Sequence, residues 1–240
     1  MDKMSFSHHI SHQYNAELSK IVNNVMRMGE LVQQQLADAM VALVEGDSAR
    51  GEQVVTSDYK VNAFEVRIDE ACTHVLARRH PAASDLRLVI AVVKTITDLE
   101  RIGDEAERIG RMALHLLEAD RRRSPMEEVA ALGELVQKML HGALEAFAHM
   151  DAAQAVKVAQ EDNQADAQYE AIVRHLMQSM EEDPKSVASI MDILWSARSL
   201  ERIGDRSCNI CEYVVYFVLG KDVRHTSFEQ MAAEATGDRR

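Results

Sequence analysis

The feature that most constrains the fold is a six-residue segment that occurs twice. The sequence Leu-Glu-Arg-Ile-Gly-Asp covers residues 99–104, the first acidic turn, and returns unchanged at residues 200–205, the second acidic turn. Six identical residues in the same order indicate a duplicated unit. Each copy carries a glycine in a helical context, where glycine costs about 1 kcal/mol relative to alanine. Its presence in both copies predicts that another part of the chain approaches the backbone closely at this point.

Apolar residues recur at steps of three and four through most of the chain, which is typical of long helices with one buried face. In the first half this pattern predicts a helix from about Ile10 to Leu43, a second that ends before His80-Pro81, and a third from a Ser84 cap to about Leu117. In the second half it predicts a helix from about Met126 to His149, another that ends before Asp183-Pro184, and a last one that ends near Leu219. The residue before proline disfavours helix, which sets the middle boundaries. Asp47 and Asp151 are the predicted caps of the second helix in each half.

The two halves therefore share one order of elements, and we predict an all-α fold of two pseudo-symmetric three-helix bundles from an internal duplication. Helices of about 35 residues are about 50 Å long, so the molecule should be elongated. The low aromatic content of 5% and the three prolines agree with a helical protein. The predicted units are a first repeat at 1–118, a linker at 119–125, a second repeat at 126–225 and a flexible tail at 226–240.

Composition narrows the classes of function. The net charge of -12 argues against nucleic acid as a partner. Three cysteines give no disulfide framework, and with no secretory signal they predict a cytoplasmic protein. The longest apolar runs, 88–93 and 213–219, are too short to span a bilayer, so we expect membrane contact only through partners. The sequence has no glycine-rich phosphate loop, and it offers no nucleophile that can be paired with a base.

Each acidic turn places two carboxylates on one helix face, because they are four residues apart. They are Glu100 and Asp104 in the first copy and Glu201 and Asp205 in the second. Like charges at this spacing repel by about 0.2–0.5 kcal/mol on an exposed helix. In the first copy Arg108 follows Asp104 by four residues, so an ordinary salt-bridged surface explains the first acidic turn.

The second acidic turn continues as an oxygen-rich stripe through Asn209 and Glu212. Such oxygen ligands suit Mg²⁺, Mn²⁺ or iron rather than structural zinc. The preceding helix of each half offers further oxygen ligands on one face: Asp58, Asn62, Glu65 and Asp69 in the first half, and Asp162, Asp166 and Glu170 in the second. The pattern predicts a divalent metal between two helices of a bundle, with an ordinary solvated acidic face as an equal alternative.

Cys208 and Cys211 form a CxxC pair on a helix, and we interpret them as packing residues because no βαβ pattern surrounds them. The sequence contains no Glu-x-x-His pair, which argues against a ferritin-like di-iron oxidase.

The duplicated turn, the two-times-three helix plan and the length resemble the PhoU family of bacterial accessory regulators of phosphate-specific transport. Three further segments share in this resemblance: residues 9–18, 84–88 and 220–225. The resemblance implies a non-enzymatic cytoplasmic homodimer that acts as a negative regulator of the phosphate-starvation response and modulates phosphate uptake. It also implies two partners, the ATPase subunit of the phosphate ABC importer and the sensor histidine kinase of the phosphate regulon.

The family's E/D-x-x-x-D motif binds metal in some members, and it falls on both acidic turns. Many members continue the motif with Asn and then Glu. Those positions are Asn209 and Glu212 in the second copy, but Arg108 and Arg111 in the first. The resemblance therefore predicts a metal cluster in the second half rather than the first. Two alternatives remain at this point, a metal-dependent helical-bundle enzyme and a purely structural dimeric scaffold.

Overall fold

The computed structural model describes residues 12–117, 126–224, 226 and 228–236. Over these ranges the chain is helical and has no β-strand, which confirms the all-α prediction. The helices are α1 His12–Glu45, α2 Ser48–Ser57, α3 Tyr59–Arg79, α4 Ala83–Leu116, α5 Met126–His149, α6 Ala152–Gln160, α7 Asp162–Glu182, α8 Val187–Leu219 and α9 Phe228–Thr236. A 3₁₀ turn, Pro184–Ser186, leads into α8.

Each half is a bundle with two long outer members and a broken one between them. Helices α1, α2–α3 and α4 form the first bundle, and α5, α6–α7 and α8 form the second. The apolar faces meet in one continuous core, in which Leu36, Ile102, Leu140 and Ile203 are fully buried. The long helices pack across the junction as two pairs, α4 with α8 and α1 with α5.

The junction of α1 and α5 shows the internal symmetry. Leu144 of α5 packs on Gly29 of α1, and Met40 of α1 packs on Gly133 of α5. The same spacing of 104 residues separates Gly29 from Gly133 and Met40 from Leu144. One contact is therefore made twice by equivalent residues, as expected for a duplicated unit with pseudo-twofold symmetry.

The middle helix of each half is broken, whereas the sequence pattern predicted one continuous helix. The breaks lie between α2 and α3, at Asp58, and between α6 and α7, at Glu161. At both breaks the backbone makes a hydrogen bond between residues three apart, as in a 3₁₀ turn. The Val61 N–H donates to the Asp58 carbonyl at 2.8 Å, and the Gln164 N–H donates to the Glu161 carbonyl at 3.0 Å. Such bonds tighten the helix locally. The apolar spacing continues across each break, so the sequence pattern does not reveal the break.

Helix starts were predicted with mixed success. Asp47 caps α2 by accepting a hydrogen bond from the Arg50 N–H at 3.1 Å, and Asp151 caps α6 in the same way. These are the caps that the sequence predicted. The Ser84 cap of α4 was wrong, because α4 begins at Ala83 and the Ala82 carbonyl accepts from the Asp85 N–H at 3.2 Å.

The segment predicted as a flexible tail at 226–240 contains α9, which packs on α6. Met231 of α9 is only 3% exposed, and burial of this apolar side chain explains why the segment is folded. The linker at 119–125, the helix start at Ile10 and residues 9–11 of the family-like opening segment lie outside the described residues. Across the described part of the chain, no helix combines the length and apolarity needed to cross a membrane.

Candidate metal centre

Three carboxylates converge in the first half and form what we term the first acidic cluster. Asp58, Asp104 and Glu107 each place a carboxylate oxygen within 4.8 Å of the other two. Asp58 comes from the α2–α3 break, and the other two come from α4. Asp58 is 7% exposed, and its Oδ1 has no hydrogen-bond partner among the described residues. A buried, unpaired carboxylate oxygen beside two more carboxylates fits a hard divalent cation.

The pKa shifts in this region have a common physical cause. Burial raises the pKa of Asp104, and the negative charges of Asp58 and Glu107 raise it further. Burial also raises the pKa of Glu100, with Asp104 and then Glu65 as the next causes. Arginine charges offset this mutual repulsion only in part, and a bound cation would relieve the remainder.

The arginines after the first acidic turn do not pair with Asp104. Arg108 lies 3.2 Å from a carboxylate oxygen of Glu105, and Arg111 lies 2.5 Å from one of Glu107. The predicted salt bridge from Arg108 to Asp104 was therefore wrong, because Glu105 takes this guanidinium at the i,i+3 spacing. Arg111 is a counter-charge at the rim of the cluster, and a cation would compete with it for Glu107.

The glycines of the two acidic turns make room for a carboxylate from the neighbouring helix break. A Cβ atom on Gly103 would lie 3.1 Å from Oδ1 of Asp58. A Cβ atom on Gly204 would lie 3.4 Å from Oδ1 of Asp162. The predicted close approach is confirmed at Gly103, where a Cβ atom would crowd Asp58, itself a candidate ligand. At Gly204 the spacing is that of an ordinary van der Waals contact.

The second half holds four carboxylates, which we term the second acidic cluster: Asp162, Asp166, Glu201 and Asp205. Burial, followed by the charges of Asp166 and Asp205, raises the pKa of Asp162 to about 6. Glu201 accepts a hydrogen bond from Arg198 at 2.5 Å, while its Oε2 is buried with no partner in the described structure. Within the described ranges these residues do not bring three carboxylate oxygens within 4.8 Å of one another, as the first cluster does.

The predicted stripe of four ligands on α8 does not form one site. The amide group of Asn209 lies 3.5 Å from Asp98 of α4, at the junction of the two halves. The charges that act most on Glu212 are those of Arg224 and Asp222, outside the second acidic cluster. Asn209 and Glu212 therefore lie beside other polar groups than Glu201 and Asp205 do, because they are further along α8, Glu212 by about 10 Å from Asp205 at 1.5 Å per residue.

The other predicted ligands lie at the edges of the clusters. The Asn62 amide donates to the Oδ2 atom of Asp58 at 3.2 Å. Glu65 accepts a hydrogen bond from Thr97, and Asp69 acts on Glu65 only through its charge. Glu170 lies in solvent with its carboxylate 3.7 Å from Arg174. These residues surround a centre rather than complete it.

Glu107 was missed in the sequence, although a signal for it existed. It follows Glu100 by seven residues and Asp104 by three, so the three carboxylates share one helix face. The nearby arginines, Arg108 and Arg111, instead favoured a prediction of neutralised charge at the first acidic turn. In the second half Cys208 stands at the equivalent position, and burial together with the Asp162 charge raises the pKa of its thiol.

Comparison with known proteins identifies the family to which this arrangement belongs. The PhoU domain model matches residues 25–113 and again residues 129–214. The chain belongs to the PhoU family. Each match falls within one bundle, so the duplication first seen in the acidic turns is a duplication of the PhoU domain. In each half, the helix break and the glycine-bearing turn that carry the acidic cluster lie inside the matched region of that half.

Full-length relatives support this assignment. The phosphate-specific transport system accessory protein PhoU homolog of Pseudomonas putida is 46% identical over 237 residues, which cover 99% of this chain and 93% of the relative. The PhoU accessory protein of Escherichia coli K12 is 46% identical over 231 residues, covering 96% and 95% of the two chains. The chain is therefore similar to PhoU proteins along nearly their whole length.

Solved PhoU structures share the fold. The crystal structure of PhoU from Pseudomonas aeruginosa has a TM-score of 0.84 at 46% identity, covering 87% of this chain and all of that one. The phosphate transport system regulatory protein PhoU from Streptococcus pneumoniae has a TM-score of 0.81 at 30% identity, covering 88% and 99%. The two-bundle PhoU architecture is thus retained at both levels of identity.

Proposed function

We propose that this chain is an accessory regulator of phosphate-specific transport. It damps the phosphate-starvation response when phosphate is plentiful, and it modulates phosphate uptake. The full-length relationship to accessory proteins of the phosphate-specific transport system, at 46% identity, is the observation that supports this role most strongly. The same relatives carry names of accessory proteins rather than of enzymes, which favours a non-enzymatic role.

The mechanism we propose is recognition by fixed helix faces. The chain works in the cytoplasm as a homodimer and links the ATPase subunit of the phosphate ABC importer to the sensor histidine kinase of the phosphate regulon. Helices α1 and α4 each have 34 residues, so each presents a rigid face about 50 Å long. A face of this length can contact two partners at the same time. The chain reaches the membrane only through these partners.

We further propose that a divalent cation, Mg²⁺, Mn²⁺ or iron, binds at the first acidic cluster. Asp58, Asp104 and Glu107 would hold it, with Asn62 and Glu100 beside them. The bound cation supplies positive charge that offsets three carboxylates and ties the α2–α3 break to α4. An acidic surface that repels acidic partners then becomes a neutral docking surface. The second acidic cluster offers a weaker candidate, since its carboxylate oxygens are more widely spaced.

A binding assay tests the proposed partners directly. The purified chain is mixed with the importer's ATPase subunit, and separately with the cytoplasmic part of the kinase, both from the bacterium that encodes it. We expect stoichiometric complexes with each in phosphate-rich conditions. Recovery of neither partner would contradict the adapter mechanism. Light scattering on the free chain checks the homodimer, for which twice the 26.9 kDa chain mass is expected.

Elemental analysis tests the cation. The chain is purified without chelator as wild type, as Asp58→Ala/Asp104→Ala and as Glu201→Ala/Asp205→Ala. Loss of metal in the first variant alone is the expected result. Asn209→Ala is the matched control, because Asn209 carries a predicted ligand type but contacts Asp98 instead. Wild-type protein that retains no cation, even after incubation with Mn²⁺, would contradict metal binding.

A further inference from the structure

A buried glutamine of α1 has no role in the packing described so far. Gln35 is 3% exposed, and neither its Oε1 nor its Nε2 has a hydrogen-bond partner among the described residues. Buried polar groups are almost always hydrogen-bonded, because an unpaired amide loses its hydration without compensation. Among the described residues, the carbonyl oxygen of this amide is therefore available to a ligand.

The position of Gln35 relates it to the first acidic cluster. A Cβ atom on Gly103 would lie 3.4 Å from the Oε1 of Gln35 and 3.1 Å from the Oδ1 of Asp58. The two oxygens flank the same glycine on α4, and both lack a partner within the described structure. Asp104, which follows this glycine, belongs to the cluster. Gln35 thus brings a third element, α1, to the edge of a group that α4 and the α2–α3 break already form.

The second half provides a natural comparison. Met139 of α5 follows Gln35 by the same 104 residues that separate Gly29 from Gly133. Its Cε would lie 3.7 Å from a Cβ atom on Gly204, so it fills the corresponding place beside the second acidic turn. A methionine has about the volume of a glutamine and no amide group to satisfy. Packing alone therefore does not require glutamine, and the polar group is particular to the first half.

We propose that Gln35 is an oxygen ligand of the cation in the first half, with its Oε1 completing a set that contains Asp58, Asp104 and Glu107. This inference rests on the cation binding proposed above. A neutral carbonyl oxygen adds a ligand without adding negative charge to three carboxylates. Carboxylate and carbonyl oxygens together suit Mg²⁺, Ca²⁺ and Mn²⁺. The cation then connects α1, the α2–α3 break and α4, which are all the elements of the first bundle.

Titration with Mn²⁺ tests this role, with the bound ion followed by electron paramagnetic resonance. The parent protein is Glu201→Gln/Asp205→Asn, in which the second acidic cluster is disabled so that one class of site is measured. In this parent, Gln35→Met introduces the residue that the second half uses. We expect the dissociation constant for Mn²⁺ to rise about tenfold or more, the range seen when groups that support a metal site are removed. Gln34→Met is the control, because Gln34 is an exposed neighbour on α1, and we expect no change.

Two further measurements separate a ligand from a packing residue. The cation-free Gln35→Met protein should melt at the same temperature as the parent or higher, since an unpaired amide is replaced by an apolar group of similar volume. Gln35→Glu retains an oxygen at this place and should bind Mn²⁺ at least as tightly as the parent. Equal affinities of the parent and Gln35→Met would overturn the role of Gln35 while leaving the cation site in place. A parent that binds no Mn²⁺ would overturn both.

Discussion

Asp98 of α4 accepts a hydrogen bond from the hydroxyl group of Tyr213 of α8, with 2.8 Å between the two oxygens. Asp98 is 2% exposed and also lies 3.5 Å from a guanidinium nitrogen of Arg206. The equivalent position in the second half is Ser199, which donates to Glu105 of α4 at 2.6 Å. The antiparallel α4–α8 junction is therefore held by polar pairs on both sides of the pseudo-twofold axis.

Removal of the Asp98 carboxylate should destabilise this junction. Asp98→Ala leaves the half-buried hydroxyl of Tyr213 and the amide of Asn209 without their acceptor, and we expect a loss of about 1–3 kcal/mol in the free energy of unfolding. Tyr213→Phe, which removes one hydrogen bond, should cost about 1 kcal/mol. Urea unfolding measures both. Asp222→Ala is the control, because its partner Arg224 is exposed and the pair is solvated. Equal stability of Asp98→Ala and wild type would show that the junction does not depend on this carboxylate.

Glu212 should make stability depend on pH. Burial is the main cause that raises its pKa from 4.5 to about 7. Between these values the folded protein retains a proton that the unfolded chain has lost, so protonation favours the folded state. The contribution is present at pH 5, decreases as the pH rises toward 7, and is absent above it. Urea unfolding from pH 5 to pH 8 should show a smaller decrease for Glu212→Gln than for wild type. Parallel curves for the two proteins would contradict the raised pKa.

The two motif glycines should respond differently to alanine. A Cβ atom on Gly204 meets its nearest neighbour at 3.4 Å, so Gly204→Ala should be tolerated and gain up to about 1 kcal/mol from helix propensity. A Cβ atom on Gly103 lies 3.1 Å from the buried Asp58 carboxylate and should displace it. We expect Gly103→Ala to be less stable than Gly204→Ala and to bind Mn²⁺ more weakly than wild type. Thermal melts and Mn²⁺ titration measure these effects, and the reverse order of stability would contradict the described contact.

The structure also separates residues that the sequence grouped together. Asp104→Ala should reduce the amount of cation bound per chain, because Asp104 belongs to the first acidic cluster. Asn209→Ala and Glu212→Ala should leave it unchanged, since both side chains face other groups. Metal content per chain, measured on the three variants side by side, gives the comparison. Loss of cation in Asn209→Ala would restore the single stripe on α8 as a binding site.

The fold could be predicted from the sequence because its main signals are periodic and duplicated. A buried stripe at helical spacing and the return of the acidic turn at 200–205 determine helix type, helix order and the two-bundle plan. The breaks at Asp58 and Glu161 could not be predicted in this way. They depend on local hydrogen bonds that leave the apolar periodicity intact.

The candidate site was only partly predictable, for a geometric reason. Spacing along one helix places Glu100 and Asp104 on a shared face, but it does not show which residue of a neighbouring helix packs beside them. The contact of Gly103 with Asp58 settles that in the structure. Gln35 lay beyond sequence reasoning, because it ends a run of three glutamines at 33–35 and nothing in the sequence shows which of them is buried or what it faces.

The most direct test of the proposed regulatory role is replacement of a relative in a living cell. The chain is expressed in an Escherichia coli strain that lacks its own PhoU accessory protein, which is 46% identical, and a phosphate-starvation promoter drives a reporter. In phosphate-rich medium we expect the wild-type chain to lower reporter output to the level of the intact strain, with expression verified by immunoblot. Reporter output that stays at the level of the empty vector, at equal amounts of folded protein, would contradict the proposed function.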